Sequence, residues 1–193
     1  MIASGFCGYG DAYSKLIDLS HFGAMVTQPV TLRPQRGTPQ PRLVETKNGI
    51  ILNTGRQNPG VKKVLRTWSK IWARLDTQII AHLPADDPND LMRTARALSN
   101  GTVIKGEPVL AALELGVPHY AHPADIEQWV AAIRDGSELP VLVKLPSNNL
   151  MEIAEAAVNA YADALVVGIP PMAAAYSSTH KTTVSGLLFG PAL

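Results

Sequence analysis

The sequence predicts an α/β fold built on a parallel sheet, and three observations carry that prediction. Short apolar, β-branched runs alternate with helical segments along the chain, the order expected of βα units. Helix start and stop signals punctuate the alternation, among them Asn58-Pro59-Gly60 and Gly136. With 193 residues, 46% of them hydrophobic, the chain has the material for one full core.

Composition excludes several classes. Lys and Arg total 17 against 16 Asp and Glu, which leaves no electrostatic footprint for nucleic acid or an anionic membrane. The aromatic residues are few and are not interleaved with basic ones. Cys7 is the single cysteine, so there is no internal disulfide and no CxxC metal motif. No apolar run approaches the ~18 residues of a membrane span, and no basic-then-apolar leader opens the chain. A cytoplasmic location is the expectation.

In chain order, Ile2–Ser4 reads as a clipped first strand, and residues Ala12–Asp18 as a short helix. Ala24–Thr31 (AMVTQPVT) is a β-branched strand. Arg33–Arg42 (RPQRGTPQPR) is an excursion from its end, where Arg33, Arg36 and Arg42 are candidates to receive an anionic group. Asn58 is expected to cap the next helix, with Pro59 in its first turn. Val61, Val64, Leu65, Trp68, Ile71, Trp72 and Leu75 then recur at three- and four-residue spacing, one buried helix face. Strands follow at Thr77–Ala81, Val109–Leu115, Val141–Leu145 and Ala164–Val167. Helices follow at Asp90–Leu98, Ala124–Arg134 and Leu150–Ala160. Parallel strands with right-handed crossovers admit two architectures, an open doubly wound sheet or a barrel. The Gly-rich Gly5–Gly10 (GFCGYG) lacks both the GxGxxG spacing and the Lys-Ser/Thr of a phosphate loop.

Longer motifs are more specific. ASGFCGYG at Ala3–Gly10, VTQPVTLRPQRGTPQPR at Val26–Arg42, GRQNPG at Gly55–Gly60, LPVLVKLP at Leu139–Pro146 and GPAL at Gly190–Leu193 occur in the order and spacing of one enzyme family. The chain resembles the class 1 dihydroorotate dehydrogenases. The resemblance implies a TIM-type (β/α)8 barrel holding FMN at the C-terminal ends of its strands. Its reaction oxidises dihydroorotate to orotate in pyrimidine biosynthesis. Such a site needs a placed base, a cation at the pyrimidine end of the flavin, and amides gripping the substrate. Against that family, residues 1–193 read as a single partial domain of about six of the eight βα units, lacking the C-terminal strands and the FMN-phosphate region.

Carried over by the resemblance, the cofactor side of the site falls on Ala3, Ser4, Gly5, Gln28, Lys144, Ser185 and Gly186. Gln28 stands where the family has a lysine, and Lys144 keeps the fifth-strand lysine. The substrate side falls on Asn53, Gly55 and His119, with Leu52 the ungapped match to the family's asparagine and Ile169-Pro170 in place of its Asn-Thr. The catalytic cysteine falls on Val117, which cannot accept a proton. Loss of a positioned base costs about 10²–10⁴-fold in rate, so the chain alone is expected not to oxidise dihydroorotate.

Strand alternation aims Ala112, Glu114 and Gly116 to one side. Glu114 is then either an ion-pair partner of Lys144 or a replacement base, and Cys7 is a further candidate base. His119 and His122 have no acidic neighbours in sequence that would make a metal site. Two readings stand: an FMN oxidoreductase completed by a partner chain or a second copy, and a non-catalytic binding or assembly subunit of a split or oligomeric barrel.

Overall fold

The computed structural model describes residues 1–13 and 16–191. Residues 14 and 15, inside the helix expected over 12–18, and residues 192 and 193, which end the GPAL motif, lie outside them. The strands are β1 (Ala24–Pro29), β2 (Leu43–Thr46), β3 (Gly49–Leu52), β4 (Gln78–Pro84), β5 (Val103–Ile104), β6 (Glu107–Pro108), β7 (Leu110–Gly116), β8 (Val141–Leu145), β9 (Ala164–Val167), β10 (Met172–Ser177) and β11 (Thr182–Phe189). The helices are α1 (Val61–Trp72), α2 (Pro88–Gly101), α3 (Pro123–Gly136) and α4 (Leu150–Asn159).

Five strands pair in parallel in the order β1-β4-β7-β8-β9. Ile2 adds a parallel bridge to Met25 on the outer side of β1. Each parallel strand thus neighbours the next one in the chain, with no reversal of order. A doubly wound sheet requires such a reversal, whereas a TIM-like fold does not. Strand order therefore selects the TIM-like alternative.

Helices α1 to α4 pack side by side over one face of this sheet. Between them lies the main core, including Met25, Ile79, Leu83, Leu98, Leu113, Leu115 and Ile133, each no more than 1% exposed. The opposite face carries a smaller cluster of Val26, Ile80 and Ala112 against the partly buried Leu142. Alternation along the strands separates the two sets, as a period of two requires.

Helix α1 shows the amphipathic stripe: Val61, Val64 and Trp72 are buried, with Leu65, Trp68 and Leu75 packed against the core. Trp72 Nε1 donates to Tyr9 O at 2.7 Å, and the Tyr9 ring tilts against Trp68 at 4.4 Å. The N-cap is Gly60 rather than the expected Asn58. Gly60 has φ +79°, and a Cβ there would lie 2.9 Å from Pro34 N, so glycine is required. Asn58 instead holds the loop, accepting from Gly60 N at 2.9 Å and Thr31 Oγ1 at 3.0 Å. Helices α2 and α3 each begin with proline after a capping side chain, Asp87 and His122. Gly136, expected just beyond α3, is its last residue.

The described residues around 12–18 form turns, followed by a 3-10 helix at Leu19–His21 capped by Asp18, rather than the expected α-helix. Six strands had no counterpart in the sequence reading, among them the short antiparallel pair β5–β6. β2, β3, β10 and β11 form an antiparallel sheet in the order β10-β11-β3-β2. The β2–β3 hairpin follows the Arg33–Arg42 excursion after β1, and β10–β11 follows β9. Both leave from C-terminal ends of parallel strands, so the second sheet stands at that end. Val44, Ile51 and Val184 form its own small core.

Candidate functional site

At the C-terminal end of the parallel sheet, on the face away from the helices, three charged or titratable side chains converge. Register pairs His82 on β4 with Glu114 on β7, and Gly116 with Lys144 on β8. His82 Nδ1 lies 2.7 Å from Glu114 Oε1, and Lys144 Nζ lies 4.0 Å from the same oxygen. The side chains of His82, Glu114 and Lys144 are only 12%, 1% and 11% exposed. Glu114 Oε2 is buried and takes no hydrogen bond.

Of the two readings of Glu114, ion-pair partner of Lys144 or replacement base, the first has its contact, which is long at 4.0 Å. The short bond goes to His82, which sequence reasoning missed. A signal existed: His82 interrupts the apolar run of β4 at an inward position, as Lys144 does on β8. Gly116 makes room for the ring, since a Cβ there would lie 2.4 Å from His82 Cε1 and 2.8 Å from Nε2. Gly116 lies two residues beyond Glu114, so the imidazole tips from its own strand toward the C-terminal mouth.

Backbone contacts fix the histidine. His82 N donates to Thr27 Oγ1 at 3.1 Å, and His82 O accepts from Val30 N at 2.8 Å. Thr27 O in turn accepts from Ser4 Oγ at 2.7 Å, tying the N-terminal segment to β1. Gly5 and Gln28 line a cleft of about 540 Å³ with Pro29, Leu52 and Thr54. These residues come from the N-terminal loop, the end of β1 and the antiparallel sheet.

Other residues of interest fall elsewhere. Leu52 lines the cleft, whereas the Asn53 amide donates to Ser185 O at 2.7 Å and its oxygen accepts from Gly55 N at 3.2 Å. Ser185 and Gly186 sit on β11, paired with Ala174 and Ala173. Ala3 is exposed in the N-terminal segment. His119, in the loop after β7, hydrogen-bonds through Nδ1 to Asn148 Oδ1 at 3.0 Å. Val117 belongs to the main core at 1% exposure, on the opposite side of the sheet from Glu114.

Cys7 is buried in the same core, where desolvation pushes its thiol above the usual range. His122 is occupied as the cap of α3, accepting from Ala124 N at 3.3 Å. The Arg42 guanidinium is spent on the loop, donating to Thr38 O, Gln57 Oε1 and Arg36 O. Arg33 faces a second cleft with Lys62, Lys63, Arg66 and Arg93.

Comparison with known proteins gives a consistent set of likenesses. A family model described as dihydroorotate dehydrogenase matches residues 1–184. The chain is 36% identical over 177 residues to the dihydroorotate dehydrogenase B (NAD(+)) catalytic subunit of Desulforudis audaxviator, covering 86% of this chain and 56% of that one. It is 34% identical over 200 residues to the protein of the same name from Caldicellulosiruptor bescii, covering 99% and 66%. In fold it is similar to a dihydroorotate dehydrogenase of Eimeria tenella solved with ferulenol, at a TM-score of 0.72, 17% identity and 62% coverage of that chain. The chain thus spans between about half and two thirds of the length of the relatives it matches.

Proposed function

This chain belongs to the dihydroorotate dehydrogenase family, and we propose that it serves as a flavin-site domain of an FMN-dependent oxidoreductase. The proposed substrate is a dihydroorotate-like carbon acid. The observation that carries this reading is the buried His82–Glu114–Lys144 cluster at the C-terminal ends of the parallel strands. In TIM-like enzymes that end is where chemistry is placed.

The donor set suits the pyrimidine edge of a flavin. That edge presents an N–H between two carbonyl oxygens, which calls for one acceptor flanked by donors. Glu114 Oε2 is a buried acceptor with no partner, and Lys144 supplies the neighbouring ammonium. FMN, when bound, would supply the two-electron acceptor. Lys144 would then neutralise charge at the flavin edge, Glu114 would take its N–H, and Ala3, Ser4, Gly5 and Gln28 would flank it. Glu114 also opposes Lys144 electrostatically, so this site would favour the reduced, anionic flavin less than a lone lysine does.

If Val117, which lies inside the core, stands at the family's cysteine as the resemblance implies, proton removal from dihydroorotate falls to another group. The names of the relatives, catalytic subunits, support a role beside a companion chain, and we place that role in the cytoplasm. Among the described residues no helix is long and apolar enough to cross a membrane.

The test is the visible spectrum of the gently purified chain, before and after FMN is added. Bound, protein-shifted flavin bands are expected, with weaker binding in Lys144→Met. A chain that stays colourless and binds no added FMN refutes the reading. One observation favours an assembly subunit in that event. The outermost strand β9 exposes Leu165 and Val167, 37% and 69% accessible, on a sheet edge that pairs readily with another chain.

A further inference from the structure

We propose that His82, held by Glu114, is the proton acceptor of this site. Four features of the geometry lead there. First, His82 Nδ1 lies 2.7 Å from Glu114 Oε1; an ionised carboxylate only accepts, so in the neutral imidazole that fits this contact Nδ1 carries the hydrogen and Nε2 keeps its lone pair. Second, Nε2 has no hydrogen-bond partner among the described residues and leans over Gly116 toward the mouth of the site. Third, the strand itself is pinned on both sides of the imidazole by the Thr27 and Val30 contacts. Fourth, the carboxylate that would steady an imidazolium is 1% exposed, where its effect is least screened.

The other candidate bases are worse placed. Cys7 points into the core on the helix side of the sheet, and Glu114 has Oε1 engaged by His82 and Oε2 buried. The charged groups facing His82 are Glu114 from β7 and Lys144 from β8. From β1 come Thr27 and Gln28, which do not titrate. His82 is therefore the group of this cluster with a free acceptor nitrogen, and Glu114 is its positioning residue.

The step balances as follows. A C–H bond next to a substrate carbonyl breaks, and the proton goes to Nε2. With FMN bound as the two-electron oxidant, the electron pair would form a C=C bond while the adjacent carbon gave up hydride to the flavin. Without an oxidant, the pair rests on the carbonyl oxygen as an enolate, and reversal in D₂O returns a deuteron. The oxidation rests on the flavin reading above, but the exchange does not.

The experiment uses the full chain with dihydroorotate as the probe. Hydrogen–deuterium exchange at the carbon next to the ring carbonyl is followed by NMR without flavin, and flavin bleaching is followed with FMN added. His82→Ala is expected to slow exchange by about 10²–10⁴-fold, and added imidazole to restore part of it. Glu114→Gln should slow it less. Nitrogen-15 NMR of the unaltered protein should show the Nδ1–H tautomer, whatever the folding of the variants. Exchange in His82→Ala equal to the parent, no imidazole rescue, no exchange above buffer in the parent, or an Nε2–H tautomer each overturn the proposal. Exchange without bleaching supports the dyad and refutes the oxidoreductase reading instead.

Discussion

Replacing Gly116 with alanine probes the geometry of the buried cluster directly. A Cβ at this position would lie 2.4 Å from His82 Cε1 and 2.8 Å from Nε2, closer than any stable contact. Gly116 is not among the glycines with positive φ, so the backbone accepts alanine without strain. The imidazole must then swing off Gly116 and give up its 2.7 Å bond to Glu114. Loss of a hydrogen bond to a charged group costs about 1.5–3 kcal/mol. Alanine in a strand recovers about 0.5–1 kcal/mol relative to glycine. The net expectation is a loss of roughly 0.5–2.5 kcal/mol, with Tm falling about 2–4 °C for each kcal/mol at this chain length. The decisive assay is a double-mutant cycle by urea unfolding. In a His82→Ala background there is no ring to displace, so Gly116→Ala should become stabilising by about 0.5–1 kcal/mol. An equal cost in both backgrounds would mean that the ring does not lie over Gly116, and the site geometry would be wrong.

Three further outcomes follow from the same structure. Glu114→Ala should cost about 3–5 kcal/mol by stranding Lys144 and His82 in a poorly solvated site, and Lys144→Met in that background should recover part of it. Simple additivity of the two substitutions in urea unfolding would contradict the pairing. Asp163 accepts from Val141 N at 2.7 Å and, next, from Arg134, which together hold its carboxyl below the usual range. Its contribution is complete above the unfolded carboxylate value of about 4 and is lost as pH falls through the lower folded value. Asp163→Asn should therefore flatten the acid limb of stability, by under about 1 kcal/mol because the side chain is solvent-screened. An unchanged acid limb would count against it. Cys7 should react with a thiol reagent only as the protein unfolds, since it is 3% exposed and burial raises its thiol. Labelling of the native protein at the rate of a free thiol would refute its placement in the core.

The parallel strands were legible because each is a short apolar run bounded by turn residues, β-branched in β1, β4, β8 and β9. Val141–Leu145 and Ala164–Val167 match the structure residue for residue. The stripe on α1 was legible because its spacing of three and four has one physical meaning. The β2–β3 hairpin left a signal that the reading passed over, Asn48-Gly49 between two β-branched runs. β10 left almost none: Ala173, Ala174 and Ala175 have little strand propensity, and their extended form depends on pairing with β11. In the site, alternation placed Ala112, Glu114 and Gly116 on one face and the resemblance supplied Lys144, but neither brought in His82.

By itself, then, the sequence determined the local elements, the sides their residues face and the family the chain resembles, because periodicity and motif spacing are properties of adjacent residues. Periodicity left an open sheet and a barrel both possible and the family resemblance implied the barrel; the strand order β1-β4-β7-β8-β9, which bears the TIM-like winding out, was visible only in the tertiary structure. Tertiary structure also decided that Glu114 bonds His82, 32 residues away, more closely than Lys144, and that Val117 turns into the core. The reason is physical: cross-strand neighbours are fixed by register and by the room that Gly116 leaves, and neither is encoded within any single segment.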